Sequence, residues 1–475
     1  MQDDNTNTAY NELNPYIQGI FAPTHEETTI LDCEVVGEIP SDLYGAYVRN
    51  GPNPQKAPQD MHHWFDGDGM VHAMYFENGK AEYRNRYVRN KDFMADQQGT
   101  LDAGGVMRPA NPEHPPRGYK DTANTDVVQH AGSLLSTWYI CGTPVRLNTR
   151  TLETLGEERF NNALSGEVSA HTKVDNQTGE MMFFSYALYE PWMSTGVVDK
   201  DNNLTNFQTV DLPGPRLPHD MAVTENYSIL HDLPVTFTEK GLRNRMWSIE
   251  FNHDLPTRFG VIPRHGTSAN IRWFECEPCY IYHVANAWEE GNEIVMHACH
   301  MKPAGGKPNP DYGPYGPMVT VLKLHAAMCE WRLNMRTGKV TTRPLDDNFS
   351  EFPCINLDYM GHKTDFAYSM SIAPTEIFKF NGIYKYDLND GSHKLHRLEP
   401  GVYASEASFA PAIDSKAEDD GYLVFFTHNE NTHESEVRIL DAREPEREEL
   451  ARVKLPKQVP VGFHATWARG DQIVT

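Results

Sequence analysis

The stretch GMVHAMYFENGKAEYRNRYVR, residues 69–89, decides the fold class of this chain. Two runs that contain aromatic and β-branched residues flank the triplet Glu77-Asn78-Gly79, which favours a tight reversal of the backbone. Such runs on either side of such a turn predict a β-hairpin. The same arrangement recurs around Thr337-Gly338 and around Asn389-Asp390-Gly391. We therefore expect hairpins to be the building unit of the fold.

Strand-like runs continue along the sequence with little helical periodicity between them, and they include LLSTWYICGTPVRLN, MMFFSYALY, NEIVMHACHM, GYLVFFTHNE and SEVRILDA. Consecutive antiparallel strands without βαβ alternation predict an all-β barrel, sandwich or propeller. The length of 475 residues and the even spread of hairpins, with 34 glycines and 32 prolines, favour a propeller. We expect residues 1–475 to form a single propeller domain.

Three segments have less regular patterns and are too long for tight turns, at about residues 92–125, 186–245 and 303–318. Long loops on a rigid scaffold commonly carry function. We expect these segments to cover one face of the propeller, where a substrate could be enclosed. The polar, acidic segment 1–25 is expected to be flexible.

The charge of the chain narrows the classes of partner, because its formal net charge is -24. An acidic chain without a basic stripe is repelled by phosphate backbones, so we expect no nucleic-acid partner. The polar start has no apolar signal core, and no run of about 18 apolar residues could span a membrane. Together with an odd number of cysteines, seven, these features predict a cytoplasmic protein with reduced thiols.

Local metal or redox motifs are few. Cys276-x-x-Cys279 lies within a predicted strand and has no second CxxC pair, so we interpret it as structural. The His-x-Glu triplets that begin at His25 and His428 could contribute to a site with two histidines and one carboxylate. The first lies in the segment expected to be flexible and the second in a polar turn, so we do not favour such a site.

Four distant histidines lie in settings typical of strands or strand ends: His171 in GEVSAHTKVD, His219 in RLPHDMAVTE, His283 in YIYHVANAWEEG and His464 in VPVGFHATWARG. Neutral imidazole is a good ligand for iron, zinc and copper. Spacings of 48, 64 and 181 residues do not suit a zinc finger, which uses local pairs of ligands. Inner strands of a propeller converge on one axis, so the pattern predicts a single axial metal site.

Two glutamates lie among apolar and small residues, Glu351 in SEFPCINLDYMG and Glu406 in YASEASFAPAID. An unpaired carboxylate is costly in such surroundings. A carboxylate that accepts the far N–H of a ligand imidazole fixes the tautomer of that imidazole and raises its basicity. We expect both glutamates to hold ligand histidines in this way.

Several words of the sequence, taken together and in order, resemble the carotenoid cleavage oxygenase family: YVRNGPNP at 47–54, HWFDGDGMVHA at 63–73, TANT at 122–125, the four histidine settings, EFPCIN at 351–356 and Glu406-x-x-Phe409-x-Pro411. The resemblance covers the chain from about residue 30 to about residue 470. The family comprises non-haem iron enzymes that cleave a carbon–carbon double bond with O2. The resemblance therefore implies a dioxygenase with one Fe(2+) per subunit and O2 as co-substrate.

The resemblance also implies the layout of the site. A seven-bladed propeller would carry an apolar cap of loops and short helices over the face that holds the metal. The iron ligands map onto the four histidines, and the carboxylates that support them map onto Glu351 and Glu406. Thr125 matches a family threonine whose methyl group crowds an otherwise free coordination position.

The sequence departs from the family pattern in residues 138–144. Family members usually carry a third supporting glutamate before Gly-x-Pro, and this chain has Ile140 at that position. Relatives that cleave stilbenes place a lysine directly before this glutamate, where Tyr139 stands here, and a tyrosine upstream, which falls near Met107. In those relatives the two side chains bind the phenol oxygen of the substrate. Their absence here favours an apolar polyene.

We therefore expect oxidative cleavage of a carotenoid or apocarotenoid into two carbonyl products, in an apolar tunnel lined by Phe65, Trp138 and Tyr139. One alternative is cleavage of a stilbene or phenylpropene side chain to an aromatic aldehyde. A second alternative is a non-catalytic propeller binding module in which the histidines are structural or hold zinc. A polyene has to be taken from a membrane or micelle, so transient contact with a membrane surface is expected as well.

Overall fold

A computed structural model describes residues 11–58, 60–114, 118–301 and 307–473. Most regular elements in these ranges are β-strands. Three short α-helices are present among them, α1 (Lys91–Gln97), α2 (Glu239–Asn244) and α3 (Gly316–Leu322). Short 3-10 helices occur at Pro15–Ile17, Gly19–Phe21, Trp64–Asp66, Ser268–Asn270, Pro310–Tyr315, Leu357–Tyr359 and Gly470–Gln472.

The strands are numbered in chain order and form antiparallel sheets. One sheet contains β1 (Thr29–Ile30), β3 (Gly45–Pro52), β4 (Gly69–Glu77), β5 (Lys80–Tyr87) and β33 (Ala465–Arg469). The next contains β6 (Asp126–His130), β7 (Ser133–Thr137), β8 (Val145–Leu147) and β9 (Thr154–Glu157). A third contains β10 (Lys173–Asp175), β11 (Glu180–Tyr186), β12 (Met193–Val198) and β13 (Leu204–Val210).

The middle of the chain supplies two more four-stranded sheets. The first contains β14 (Ala222–Val223), β15 (Tyr227–Asp232), β18 (Thr257–Pro263) and β19 (Arg272–Cys276). A separate pair, β16 (Val235–Phe237) and β17 (Ile249–Phe251), lies between β15 and β18 in the chain. The second sheet contains β20 (Tyr280–Glu290), β21 (Glu293–Met301), β22 (Ala326–Asn334) and β23 (Val340–Pro344).

A ten-stranded sheet contains β2 (Val35–Gly37), β24 (Ser350–Cys354), β25 (Phe366–Ile372), β26 (Phe380–Asp387), β27 (His393–Arg397), β28 (Val402–Ala404), β29 (Ser408–Pro411), β30 (Gly421–Asn429), β31 (Ser435–Asp441) and β32 (Ala451–Lys454). Its two halves meet through one pair of residues, Phe380 and Ala404. Divided there, the sheet would supply two blades. The all-β fold class is confirmed, and the number of seven blades stays a prediction.

The sheets are arranged around a hub to which each sheet of four or more strands contributes an inner strand, among them β6, β10, β14, β20, β24, β29 and β33. β6 packs against β33 and β10, β20 packs against β14 and β24, and β29 packs against β33. The ring is closed by pairing between β3 and β33, in which Tyr47 lies opposite Trp467. Residues that immediately precede or begin these hub strands are therefore brought close to a common axis.

The hairpin expected at residues 69–89 is present as β4 and β5. Glu77 pairs with Lys80 across a two-residue turn. Both turn residues have positive φ, 52° at Asn78 and 72° at Gly79. This is the backbone that a type I′ turn requires, and asparagine and glycine adopt it at the lowest cost.

The expectation of an irregular cap over residues 186–245 is corrected, because β12 to β16 lie within this segment. The sequence LTNFQTV of β13 alternates between partly exposed and exposed positions at the edge of its sheet. The exposed face of an edge strand carries polar residues, so β13 lacked the apolar runs by which the other strands were found. Of the loops in this segment, the one before β14 carries His219.

The expectation of a flexible segment over residues 1–25 is corrected for the part that the structure describes. Residues 1–10 lie outside the described residues. Tyr16 and Phe21 pack on Trp64, with ring centroids 4.9 and 5.3 Å from the indole. Burial of these aromatic rings fixes the segment against the body of the protein.

The third expected cap segment, 303–318, is described from residue 307 onward. It contains the 3-10 helix Pro310–Tyr315 and the start of α3, whose residues Met318 and Val319 are buried. Short helices are therefore present in this segment, and its role as part of a cap stays a prediction. In the described ranges, no helix is both long enough and apolar enough to cross a membrane.

Candidate metal centre

The structure brings His171, His219, His283 and His464 together at the hub. One nitrogen from each imidazole lies within 4.8 Å of the corresponding nitrogens of the others, and all four residues are buried. Neighbouring ring centroids are 4.5 to 5.0 Å apart. Within the part of the chain that the structure describes, these residues form the one histidine, cysteine or acidic cluster with metal-ligand spacing. His283 lies in β20, whereas His171, His219 and His464 lie shortly before β10, β14 and β33, so each belongs to a different sheet or its entry.

Local backbone features aim two of these imidazoles at the hub. His171 precedes β10 and has a left-handed backbone with φ of 65°, and its N–H donates to Asp126 Oδ2 at 3.0 Å. His283 lies in β20, where the pairing with β21 shifts between Ile281 and Val284. Such an irregularity re-aims a strand side chain. These features make the two side chains converge instead of following the regular alternation of a sheet.

Glu351 and Glu406 each contact one imidazole, at the places where the sequence predicted support. Glu351 Oε2 lies 2.5 Å from His283 Nδ1, and Glu406 Oε1 lies 3.2 Å from His464 Nδ1. Burial raises the pKa of both carboxyl groups. Each contact engages Nδ1, so Nε2 of the same ring is left for a metal.

Two aspartates that the sequence analysis did not single out lie beside these groups. Asp126 Oδ2 is 4.0 Å from His171 Nδ1, and Asp220 Oδ1 is 2.7 Å from Lys173 Nζ. Asp220 also accepts the N–H of Val284 at 2.7 Å. The sequence could have pointed to both aspartates, because each directly follows a residue that was predicted to belong to the site. Asp126 follows Thr125, and Asp220 follows His219.

His219 has no acidic partner in the described part of the chain, in agreement with the missing third glutamate. Ile140, at the expected glutamate position, is buried in an apolar cluster. The His219 ring instead meets Tyr282 edge to face at 4.8 Å and lies 5.8 Å from the ring of Tyr139. Aromatic packing therefore orients this imidazole in place of a carboxylate.

The protonation of the imidazoles fits a metal site. Burial lowers the pKa of His219 to about 3 and holds the pKa values of His171 and His283 well below normal. Burial also lowers the pKa of His464, but the charge and hydrogen bond of Glu406 outweigh it, so the net shift is upward. The Nε2 atoms of His171 and His283 are buried without a hydrogen-bond partner among the described residues. Neutral, orphaned imidazole nitrogens that face one another are suited to bind a divalent cation.

An apolar cavity lies on one side of the four imidazoles, and it is the counterpart of the expected tunnel. It is lined by Trp64, Phe65, Thr125, Tyr139, His219, Tyr282, His283, Leu322, Leu324, Phe352, Phe378, Phe463 and His464. Phe65 and Tyr139 are among the residues that line it, and their role as a substrate tunnel stays a prediction. Trp138 does not line it, which corrects that expectation: it precedes Tyr139 and packs beside Val106 and Ala170 outside the cavity.

Thr125 lines this cavity, and its hydroxyl is engaged by neighbouring residues. The hydroxyl donates to Asn124 Oδ1 at 3.0 Å and accepts the N–H of Tyr139 at 3.2 Å. Asn124 is itself held by the carbonyls of Phe65 and Gly67, at 2.9 and 2.7 Å. The threonine side chain is therefore fixed in the wall of this cavity.

The other local motifs do not form a second centre. His428, expected in a polar turn, instead lies buried in β30 and bonds to Ser405 and Ser435 through its two ring nitrogens, at 2.9 and 3.4 Å. Cys276 ends β19, and Cys279 follows a bend ahead of β20, so the two cysteines do not lie inside one strand as expected. Both cysteines are free thiols.

The fold and the site together define a β-propeller with an all-histidine metal centre beside an apolar cavity. A family model described as retinal pigment epithelial membrane protein matches residues 21–469. A carotenoid 9,10(9′,10′)-cleavage dioxygenase from Pisum sativum is 35% identical, over 96% of this chain and 90% of that protein. An isoeugenol monooxygenase from Pseudomonas nitroreducens is 30% identical, over 96% of this chain and 98% of that protein.

A solved structure supports the same assignment. The crystal structure of lignostilbene dioxygenase from Pseudomonas brassicacearum superposes with a TM-score of 0.85 at 26% identity, covering 96% of this chain and 99% of that one. The chain belongs to the carotenoid cleavage oxygenase family, and it is an oxygenase enzyme of that family. The predicted family and the propeller fold class are thereby confirmed.

Proposed function

We propose that this enzyme cleaves a carbon–carbon double bond of a carotenoid or apocarotenoid with O2, giving two carbonyl products. Fe(2+), one per subunit, would be held by His171, His219, His283 and His464. When bound, the iron would supply the activation of O2 next to the alkene. The buried four-histidine group and the family membership support this assignment.

The protein side chains have three tasks in this proposal. Glu351 and Glu406 hold the Nδ1 side of two imidazoles and so fix the direction of their Nε2 atoms. Thr125 places a methyl group beside the ligands and narrows the space open to a further ligand. The aromatic walls of the cavity exclude water and align an extended apolar substrate, which lowers the entropic cost of reaching the reactive geometry.

The composition of the apolar cavity is the observation that carries the choice of substrate. Apart from the histidines, its polar side chains are Thr125, Tyr139 and Tyr282, and the lining described by the structure contains no lysine or arginine. Ionisation of a phenolic substrate would require a positive partner in this cavity. Burial instead raises the pKa of both tyrosines, so they stay neutral hydroxyl groups. An apolar polyene places no such demand on the site.

A stilbene or phenylpropene substrate is the second candidate, because the isoeugenol monooxygenase and the lignostilbene dioxygenase cover nearly the whole chain. Tyr139 would then contact the phenol oxygen. The relative named for carotenoid cleavage has the higher identity, 35% against 30% and 26%. Identity and cavity lining favour the same substrate class, the carotenoids.

Turnover of one substrate from each class tests the proposal. The iron-loaded protein would be assayed separately with a C40 carotenoid, an apocarotenoid, a hydroxystilbene and isoeugenol, and the aldehydes would be identified. We expect polyene cleavage that is lost in His219→Ala. Cleavage of the phenolic substrates alone would reject the carotenoid assignment and support the second candidate.

Tyr139→Phe separates the two candidates without removing a metal ligand. A polyene does not need the phenol hydroxyl, so we expect this variant to keep carotenoid cleavage. A phenolic substrate that depends on Tyr139 would lose turnover in the same variant. Stoichiometric zinc in the purified protein, with no O2 consumption on any substrate, would instead support the non-catalytic binding module.

We also propose that the enzyme is cytoplasmic and contacts a membrane surface transiently to collect its substrate. α3 exposes 49% of Val321, while the neighbouring Leu322 and Leu324 line the apolar cavity. Leu13, 38% exposed, lies beside Gly313 in the same region. In a liposome flotation assay we expect Val321→Glu to reduce association, and an absence of association by the unchanged protein would contradict this proposal.

A further inference from the structure

A second, polar cavity reaches the four-histidine site from the side opposite to the apolar cavity. It has a volume of about 130 Å3, and its lining includes Asp126, Lys173, Asp220, Glu406, Arg469 and Gln472 together with His171, His283 and His464. We call it the axial channel. It is lined by the hub strands β6, β10, β20 and β33.

The positions of neighbouring residues show that the two cavities lie on opposite sides of the imidazoles. Tyr282, which precedes His283, lines the apolar cavity, whereas Val284, which follows it, lines the axial channel. In the same way, Phe463, which precedes His464, lines the apolar cavity, and Ala465, which follows it, lines the axial channel. The hub strands therefore run from the apolar side, past the ligands, into the polar side.

We propose that the axial channel is the route by which the divalent metal reaches the four histidines, and that Arg469 controls its mouth. A hydrated divalent cation loses much of its hydration energy in an aromatic cavity. The channel instead offers the carboxylates of Asp126, Asp220 and Glu406 along its wall. These exceed the positive side chains of the lining, Lys173 and Arg469, by one charge, so the interior attracts cations.

The mouth is held by an ion pair between two neighbouring elements. Arg469, at the end of β33, donates to both carboxylate oxygens of Asp358 at 2.9 and 3.0 Å. Asn176 donates to the same carboxylate at 3.3 Å. The Arg469 and Asp358 side chains keep 41% and 35% of their surface exposed. A positive guanidinium across the opening slows a cation that passes it, and it also neutralises the carboxylate that would otherwise draw the cation in.

Metal-uptake kinetics test this inference without using the oxidative reaction. Metal-free protein would be mixed with Co(2+) in a stopped-flow instrument, and binding would be followed by the visible absorption of the cobalt–imidazole centre. We expect Arg469→Ala to bind Co(2+) at least about threefold faster, because one repulsive charge leaves the path. Release to a chelator should accelerate by the same factor, since the ligands and hence the dissociation constant are unchanged.

Two further variants assign the route. Asn176→Trp places a large side chain on an exposed turn at the mouth and should slow uptake. Leu324→Phe fills part of the apolar cavity and should leave the uptake rate unaltered. Slower uptake in Leu324→Phe with no change in Arg469→Ala and Asn176→Trp would overturn the inference in favour of the apolar cavity. No change in any variant would also overturn it, since neither cavity would then limit uptake.

This inference rests on the metal site and not on the choice of substrate. The cobalt measurement requires no alkene and no O2. Failure of every substrate assay with normal Co(2+) binding would reject the proposed function and leave the channel intact. Normal polyene cleavage with an unchanged rate of Co(2+) uptake in Arg469→Ala would support the proposed function and reject the channel as the metal route.

Discussion

Three of the four imidazoles are supported in two different ways. Carboxylates hold His283 and His464 through Nδ1, whereas aromatic rings hold His219. A carboxylate fixes the tautomer and adds negative charge next to the ligand, which an aromatic ring does not. Binding strength should therefore depend more on the two glutamates than on the ring contacts.

Replacement of Glu351 tests this difference. We expect Glu351→Gln to weaken Co(2+) binding by about 10- to 100-fold, because the neutral amide oxygen is a weaker acceptor for the N–H of His283 than a carboxylate and adds no negative charge. Equilibrium titration followed by visible absorption would measure the change. Glu153→Gln, at an exposed position, is the matched control. Equal affinity of the two variants would show that Glu351 does not support the ligand.

Asp121 gives a prediction on stability and pH. Burial, with the charge of Asp92, raises the pKa of Asp121 to about 7. The unfolded carboxyl ionises near its ordinary value of about 4, so stability falls as the pH rises between these two values. The folded carboxyl still holds its proton at pH 6 and loses most of it by pH 8. Between pH 6 and pH 8, the free energy of unfolding of the unchanged protein should therefore fall by about 1 kcal/mol more than that of Asp121→Asn, whose amide does not ionise.

Urea unfolding at pH 6 and pH 8 would measure this effect. Asp254→Asn, on the surface, is the control and should follow the unchanged protein. The same pH dependence in all three proteins would show that Asp121 does not titrate as its burial implies.

The candidate site could be predicted in part from the sequence. The four histidines and two glutamates lie in short sequence motifs that resemble those of a known family, so these residues could be predicted from the sequence. The sequence places Asp126 and Asp220 next to predicted site residues but does not show their contacts, because they accept N–H groups of His171 and Val284, which lie 45 and 64 residues away. Contacts between residues so far apart in the chain leave no local pattern.

At the scale of elements, β3 packs unusually close to the segment that carries His464. A β-carbon on Gly51 would lie 2.7 Å from the α-carbon of Gly462. This is backbone, which cannot move aside cheaply, so we expect Gly51→Ala to destabilise the fold by about 1 to 3 kcal/mol. It should also weaken Co(2+) binding, because His464 lies two residues beyond the contact.

Gly166→Ala is the control, since the nearest atom to its β-carbon would be 3.6 Å away. Chemical denaturation and cobalt titration of both variants would measure the difference. A Gly51→Ala protein as stable as the control would show that the strand and the loop separate easily.

The elements themselves were predictable where turn chemistry was explicit. The β4–β5 hairpin turns at an asparagine and a glycine that both have positive φ. These residue types are visible in the sequence and predict the turn. The strands β12 to β16 were missed because short or polar-faced strands lack a long apolar run. Their place in the fold is set by strand pairing, in which β12 pairs with β11, β15 with β18 and β16 with β17, and a single sequence does not display these partners.

For the whole molecule, the four histidines lie in or just before inner strands of four different sheets, so a bound metal would tie separate parts of the ring together. A ligand that binds only the folded state stabilises it by mass action. At a free Co(2+) concentration 100 times the dissociation constant, we expect a gain of about 2.7 kcal/mol. Thermal unfolding with and without Co(2+) would detect it as a rise in Tm, and His171→Ala should show a smaller rise.

Mg(2+) is the matched control ion, because it prefers oxygen ligands and should leave Tm unchanged. An equal rise with both ions would indicate binding to surface carboxylates of this acidic protein. No rise with Co(2+) would show that the four histidines do not bind a metal across the hub.

The ligands begin at residue 171 and finish at residue 464, and the ring closes when β33 pairs with β3. A growing polypeptide therefore offers at most three imidazoles until almost the whole propeller has been synthesised. Capture of the ion is thus a late event that follows ring closure. A chain interrupted before residue 464 would lack one of the four histidines that would hold the metal, so metal retention would report that synthesis and closure have both been completed.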